Sequence, residues 1–397
     1  MPNRYTRNLK PDLVSDASLT EQADTLFEEM AGSARRRMPE SNGWTVIESR
    51  EADSLNYEYC YGDFKGSISL RHGFAIGMFC WSSNVNFGVK GFWFGSQVEF
   101  PRLWPMKLNQ TELGALADVA TKAALEAGAL IMHYGESGFT VSHKEGGDSL
   151  ASQVVTEVDE RAQAVILERL GGAIAHYDLA LLTEEMEDDG SRFEQDYFLC
   201  IDPLDGTLPF TQGKPGYAVS IALVRQDGES MIGVVYDPVD ERLFRAVSGQ
   251  GLTINGQDWE APLQKQRKEA SLRFCMDCTF ETDPRRGELT ARMTALAQRA
   301  GYTGATIEIN GGAVCNACYV LEHAPAVYSK EPKPELGGGS FWDFAATACI
   351  FQEAGASVSD YFGQTLELNS STHTFFNHCG VCFCSDAELA KVLRAAL

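Results

Sequence analysis

The residues Asp202-Pro203-Leu204-Asp205-Gly206-Thr207 follow a short apolar run, Tyr197 to Ile201, that reads as a buried strand. Two carboxylates therefore leave the end of a strand three positions apart, with a proline between them and a glycine and a threonine directly after. Crowded carboxylates repel, and such a pair persists where cations neutralise it. Backbone N–H groups after a strand-end turn grip a phosphate, and glycine lets the anion approach closely. The Thr207 hydroxyl can pass a proton from an attacking water to a neighbouring carboxylate. The chemistry implied is that of hard divalent cations beside a phosphate.

Further acidic residues have reason to converge. Glu184-Glu185 follow Leu179 to Leu182, a candidate strand; Asp343 lies in the first turn of a helix, one residue after Trp342; Asp159 lies in the first turn of another. No histidine adjoins these motifs. Oxygen-only ligation selects Mg²⁺, Mn²⁺ or Ca²⁺ over zinc. Two such ions, ~3.5–4 Å apart, polarise a phosphate, activate a water and stabilise the leaving oxygen. Each residue alone has a plainer reading. An aspartate in a first helical turn commonly serves the helix end and its dipole. Glu184-Glu185 runs on into Met186-Glu187-Asp188-Asp189, and an acidic run is usually a solvated loop. The doubled aspartate resists that reading, because a simple turn does not need both carboxylates. Gly311-Gly312-Ala313 at a helix start is a second place for close ligand approach.

The elements that must position these groups can be read from pattern. Glu112 to Met132 sets Leu113, Leu116, Ala117, Ala120, Ala124, Ala127 and Ile131 on one helical stripe. A polar stretch, Gly135 to Ser152, follows, and then a helix from Thr156 to Leu170, with Thr156 as N-cap and Asp159 three residues on. Ala218 to Val224 and Met231 to Tyr236 are strands joined across Asp227-Gly228. Leu243 to Val247 adds another, Pro284 to Ala300 is helical, and Gly311-Gly312 opens a helix containing Cys315. Glu331 to Gly339 is a Pro/Gly loop, after which Ser340 caps a helix from Phe341 to Ala354 that stops at Gly355. Hairpins mixed with helices point to alternating layers of helix and sheet, not a doubly wound parallel sheet. Residues 1–107 differ: Leu19 to Arg37 suits a polar helix, and Trp44 to Trp104 is rich in aromatics and glycine. There Ile68 and Leu70, and Val85, Phe87 and Val89, alternate with polar residues or glycine, so a small β-rich unit is expected, closed by Pro101 and Pro105.

A chain of 397 residues can hold two or three cores. Its net charge of -22 argues against nucleic acid and anionic membranes, since a phosphate backbone needs a basic surface. A small anionic substrate stays open, because bound metal ions invert the local potential. No apolar run reaches the ~18–20 residues of a membrane span, and Met1 to Lys10 is polar, so the expected location is the cytoplasm. The 11 cysteines suit reduced thiols. Cys275/Cys278, Cys315/Cys318 and Cys379/Cys382 have metal-site spacing, but the gap between the first two pairs exceeds the ~15–20 residues of a zinc ribbon, so core cysteine is the reading adopted. There is no G-x-S-x-G elbow, P-loop or G-x-G-x-x-G.

Taken together, four blocks in order resemble the inositol monophosphatase family, within the superfamily that includes fructose-1,6-bisphosphatases and 3′(2′),5′-bisphosphate nucleotidases. They are Val155-Thr156-Glu157-Val158-Asp159; Glu184-Glu185; Asp202 to Thr207 with Ala218 to Leu223; and Trp342-Asp343-Phe344-Ala345-Ala346 with Glu353-Ala354-Gly355. The resemblance covers residues 108–397 and implies a layered αβαβα sandwich, with residues 1–107 an accessory unit. It implies two or three Mg²⁺ ions, one held by Glu184, Asp202 and the Leu204 carbonyl and a second by Asp202, Asp205 and Asp343. Asp159 and Thr207 would activate the attacking water; Gly206 and Thr207 would cradle phosphate, with Gly311, Gly312 and Ala313 on the substrate side. Lys144 resembles the family's lysine near the site but stands further from Asp159. Pro209 replaces an asparagine, residues Ser149 to Gln153 look inserted, and the acidic residue for substrate hydroxyls is not fixed, with Glu331 and Glu335 as candidates.

The implied activity is a lithium-sensitive, Mg²⁺-dependent phosphomonoesterase acting on a small phosphorylated metabolite. Inositol monophosphate is the family default, with 3′-phosphoadenosine 5′-phosphate and sugar phosphates as alternatives and a homodimer as a further expectation. The rival of another class is a catalytically silent ligand-binding protein that keeps the fold.

Overall fold

A computed structural model of the chain describes residues 108–138, 157–262 and 269–395 in full. It describes residue 396 and the strands named below over 45–90, 141–143 and 154–156 as backbone. The helix expected over 19–37, the alternation over 85–88, Pro101, Pro105, Lys144 and 149–153 lie outside the described residues. The chain divides into two units, Met1–Asn109 and Gln110–Leu397.

In the first unit, β1 (Thr45–Glu51), β2 (Ser54–Tyr61), β3 (Phe64–Arg71), β4 (Phe74–Trp81) and β5 (Val89–Lys90) pair in chain order. Every pairing is antiparallel. The registers Glu51↔Ser54, Tyr61↔Phe64 and Arg71↔Phe74 leave two residues for each connection, the shortest hairpin link. Ile68 and Leu70 lie in β3.

The second unit is built around two sheets. Strands β8 (Ala180–Thr183), β9 (Tyr197–Asp205), β10 (Ala218–Arg225), β11 (Ser230–Asp237), β12 (Arg242–Val247), β13 (Gly251–Ile254) and β14 (Gln257–Asp258) form the first, in the order β14-β13-β12-β11-β10-β9-β8. Only β8 and β9 run parallel there. The second sheet, β16-β15-β17-β19-β18, takes β15 (Leu272–Asp277), β16 (Ala305–Gly311), β17 (Ala326–Lys330), β18 (Ser357–Ser359) and β19 (Val381–Cys384).

Helices fill the remaining layers. Outside the first sheet lie α1 (Gln110–Ser137), whose alanine-rich stripe is buried, and α2 (Glu157–Tyr177). The short α3 (Thr207–Thr211) follows β9. Outside the second sheet lie α4 (Arg286–Arg299) and α7 (Ala387–Ala396). Between the sheets lie α5 (Ala313–Glu322) and α6 (Phe341–Glu353), and one apolar core joins both helices to both sheets. The result is the layered αβαβα sandwich anticipated from the sequence.

Several boundaries differ from the pattern reading. The helix expected to end at Leu170 runs through Gly171-Gly172 to Tyr177. Packing of α2 along α1 outweighs the weak helix propensity of the glycine pair. The polar stretch after α1 contains β6 (Val141–His143), which pairs antiparallel with β7 (Val154–Thr156). The strand expected to end at Ile201 continues to Asp205, buried throughout. Most of the second sheet also goes unread, because β17 to β19 are only three to five residues each and lack clean alternation. Among the described residues, no helix is long and apolar enough to cross a membrane.

Helix α6 is seated on the first sheet by specific contacts. Ser220 donates its hydroxyl to the Trp342 carbonyl at 3.1 Å, and Ser230 to the Ala345 carbonyl at 2.7 Å. At Gly233 on β11 the helix backbone comes so close that an added Cβ would stand 2.2 Å from the Ala346 carbonyl oxygen. Backbone faces it, so the neighbour cannot swing away. Gly233→Ala is expected to cost about 1–3 kcal/mol, the usual cost of overpacking; urea unfolding monitored by circular dichroism reads the loss directly.

Candidate functional site

Side chains on a strand alternate faces, so residues three apart point in opposite directions. Asp202 and Asp205 escape this rule. The pairing of β9 with β10 passes from Ser220↔Asp202 to Ala218↔Asp205, so β9 spends one residue more than its partner. That β-bulge brings both carboxylates to one side. Pro203, which has no N–H to donate, sits where the ladder is already broken. The Leu204 N–H donates to Asp202 Oδ1 at 3.0 Å and fixes that side chain. The sequence placed the two aspartates in a turn beyond the strand; the structure corrects this, with both inside the strand and brought to one side by the bulge.

Asp343 arrives from the first turn of α6, where its carboxylate accepts the Ser340 N–H and so closes the helix start. One oxygen from each of Asp202, Asp205 and Asp343 lies within 4.8 Å of the others. Among the described residues this is the sole group of three or more Asp, Glu, His or Cys side chains close enough to share one ion. Asp202 and Asp205 are buried, and Asp343 is half-buried.

Electrostatics mark the group as one in need of cations. Burial pushes the Asp202 carboxyl well above its ordinary range, and the charges of Glu184, Asp205 and Asp343 push it further. Burial and then Asp343 do the same to Asp205, against the pull of the Val314 N–H and Lys330. Burial raises Asp343 too, opposed first by Lys330 and then by the Ser340 N–H. An all-oxygen donor set, buried and self-repelling, fits a hard divalent cation such as Mg²⁺. Glu184 begins just beyond β8, its N–H held by the Ile201 carbonyl at 3.2 Å, and it is the strongest charge felt by Asp202. Only the later part of that acidic run is solvent-exposed: Met186 to Asp189 are exposed, while Glu184 and Glu185 are half-buried.

Asp159 and Thr207 meet beside the cluster. The Thr207 hydroxyl lies 3.0 Å from Asp159 Oδ1 and 3.1 Å from the Leu204 carbonyl, with both side chains buried. Thr207 opens α3, and Pro209 falls in its first turn, where the missing N–H has no helical partner to lose.

The glycines form a seam between the two sheets. Gly206, Gly216 and Gly311 all hold positive φ, at 86°, 102° and 104°. An added Cβ on Gly311 would fall 2.1 Å from the Gly216 carbonyl, and one on Gly312 would fall 2.3 Å from Asp205 Oδ2. The start of α5 thereby reaches Asp205: Ala313 N–H donates to Oδ1 at 3.1 Å and Val314 N–H to Oδ2 at 2.9 Å. Gly311, Gly312 and Ala313 thus stand at the site, with the Ala313 N–H engaged by Asp205 itself. Glu331 is exposed and paired with Arg292 at 2.8 Å, and Glu335 is exposed.

A second layer escaped sequence reading. Asp277 at the end of β15 accepts Tyr328 Oη at 2.8 Å and Asn316 Nδ2 at 3.3 Å, and pairs with Lys330 at 3.0 Å. Its signal would have been two parallel neighbouring strands, β15 and β17, both ending in charged residues. The thiols of Cys275 and Cys318 are pushed up by burial and pack in the interior.

The model of the inositol monophosphatase family matches residues 112–396. The chain belongs to the inositol monophosphatase family. The Nus factor SuhB of Escherichia coli is 31% identical over 253 residues, covering 62% of this chain and 86% of the relative. A fructose-1,6-bisphosphatase/inositol-1-monophosphatase of Thermotoga maritima is 29% identical over 262 residues, 66% of this chain and 90% of the relative. Among solved structures, the extragenic suppressor protein SuhB of Bartonella henselae matches with a TM-score of 0.54 at 26% identity, covering 71% of this chain and 98% of that one.

The raised carboxyls of this family member make a signed prediction. A folded-state pKa above the usual 3.8 gives stability that is present in acid and lost as pH rises through the folded value. Asp202→Asn removes one charge from the crowd. Without metal it is expected to melt above wild type at pH 8, by about 2–4 °C for each kcal/mol of repulsion relieved. The advantage should vanish as pH falls toward 4, a trend that thermal melts in EDTA across pH will follow.

Proposed function

We propose that this protein is a Mg²⁺-dependent phosphomonoesterase of a small phosphate ester. Asp202, Asp205 and Asp343, with Glu184 and the Leu204 carbonyl, would hold the ions. When bound, Mg²⁺ supplies Lewis-acid polarisation of the phosphoryl group and makes water a better nucleophile. The chain's own residues then divide the work. Thr207 directs its hydroxyl hydrogen toward Asp159 at 3.0 Å, so its oxygen lone pairs are free to accept a proton from an attacking water. Asp159, buried beside it, takes the relayed proton and holds the hydroxyl in line. Gly206 offers backbone at close range to the phosphate.

The single observation that carries this reading is the Thr207–Asp159 hydrogen bond beside a three-carboxylate cluster. Membership of the family supports it. Inositol monophosphate is the substrate favoured by the family. A 3′-phosphonucleotide or a sugar phosphate follows, and the Thermotoga relative is a fructose-1,6-bisphosphatase/inositol-1-monophosphatase. Lithium inhibition belongs to the same proposal. A binding-only role, which the name Nus factor invites for the SuhB relatives, would not require a proton relay beside the metal ligands.

Phosphate release with Mg²⁺ is the direct test, across inositol monophosphate, 3′-phosphoadenosine 5′-phosphate and fructose-1,6-bisphosphate. One class should turn over, and Asp202→Ala should abolish it. Thr207→Val should lose about 10²–10⁴-fold in kcat, the contribution of positioned proton transfer, while calorimetry still finds Mg²⁺ binding. Release from none of the three substrates would sink the proposal.

A further inference from the structure

Lys330 closes β17 with its ammonium 3.0 Å from Asp277 Oδ2 and its side chain 21% exposed. Asp277 closes β15, and the parallel register Arg273↔Ala326 to Cys275↔Tyr328 carries the two strand ends side by side. The other Asp277 oxygen is held by Tyr328 and Asn316. Asn316 in turn donates to the Gly311 carbonyl at 3.2 Å and the Gly312 carbonyl at 2.8 Å. Those carbonyls belong to the turn whose next two N–H groups bind Asp205. Asp277 is therefore clamped by three residues from two elements, β17 and α5, beside the turn that binds Asp205, and the clamp fixes where the lysine charge sits.

The charges are reciprocal. Burial disfavours the Lys330 ammonium, but the attraction of Asp277, then Asp343 and Asp205, outweighs it and holds the proton more tightly than usual. In return Lys330 is the strongest charge drawing Asp343 down. A lysine ammonium carries three N–H donors on a flexible stem, so a carboxylate that grips it also decides how far it reaches.

We propose that Lys330 is the built-in counter-ion of the acidic cluster, a positioning residue that Asp277 restrains at the edge of the metal ligands. Without metal it steadies Asp205 and Asp343 against their mutual repulsion. When a divalent cation binds, the same charge opposes it. Asp277 tunes that opposition by keeping the ammonium back. The inference rests on the metal-dependent reading of the site.

The two partners then act with opposite signs on metal affinity. Lys330→Met keeps the bulk and removes the charge, so the cluster attracts cations more strongly. Asp277→Asn keeps the shape and releases the ammonium toward Asp205 and Asp343, where it must be displaced. Titration calorimetry with Mg²⁺ on the full chain, with no substrate, should show Lys330→Met binding about 3–10-fold tighter and Asp277→Asn about 3–10-fold weaker than wild type. This is the range expected of one charge acting beyond contact distance near a protein surface. In EDTA at pH 8, Lys330→Met should melt below wild type, and added Mg²⁺ should close the gap. Unchanged or weaker Mg²⁺ binding by Lys330→Met overturns the proposal, as does unchanged binding by Asp277→Asn should the first variant not fold. Loss of packing alone would weaken both variants. Because the readout is binding, its failure is distinct from that of the phosphatase reading, which would appear as Mg²⁺ binding without phosphate release in wild type.

Discussion

Three carboxylates pressed together in the interior are the constraint on which the rest of this structure depends. Burial removes the water that would screen Asp202, Asp205 and Asp343 and raises all three; Asp205 and Asp343 push Asp202 further up, and Asp343 does the same to Asp205. Such an arrangement is unfavourable by itself. The fold holds it through backbone N–H groups aimed at the carboxylates: Leu204 at Asp202, Ala313 and Val314 at Asp205, Ser340 at Asp343. Two of these donor sets lie at the N-terminal ends of the helices sandwiched between the sheets, whose dipoles favour a negative charge there. The middle layer is thus both core and electrostatic support.

This explains why the helices between the sheets are seated so tightly. A shift of α6 along β11 would carry Asp343 out of register with β9, and the serine contacts and the close approach at Gly233 oppose that shift. The glycine seam does the same for α5, since side chains at Gly311 or Gly312 would push its N-terminus away from Asp205. Packing precision and the placing of the carboxylates are one requirement here, met by small residues where elements touch.

Much of this was legible before any coordinates. The stripe from Leu113 to Ile131, the hairpin around Asp227-Gly228 and the helix between Ser340 and Gly355 carry strong periodic or capping signals. Asp159, Thr207, Asp202, Asp205 and Asp343 could be singled out because their residue types make little sense as ordinary turn or cap residues when taken together. The second sheet was not legible. Its strands β17 to β19 are three to five residues long, and what makes them strands is pairing with partners distant in sequence. Asp277 and Lys330 stayed hidden for the same reason: nothing local marks them, and their meaning comes from β15 and β17 ending side by side.

The bulge in β9 has a consequence for judging distant relatives. Strand faces alternate with a period of two, and a spacing of three is out of phase; the single extra residue is a phase correction. On a regular strand, aspartates two or four apart already share a face, whereas a spacing of three keeps both carboxylates on one side only while the bulge is there. A chain that kept the spacing of three and lost the bulge could retain every acidic residue and still turn its two carboxylates to opposite faces. The irregular pairing between Asp202 and Asp205, with the proline set inside it, is therefore as much a part of this centre as the carboxylates themselves.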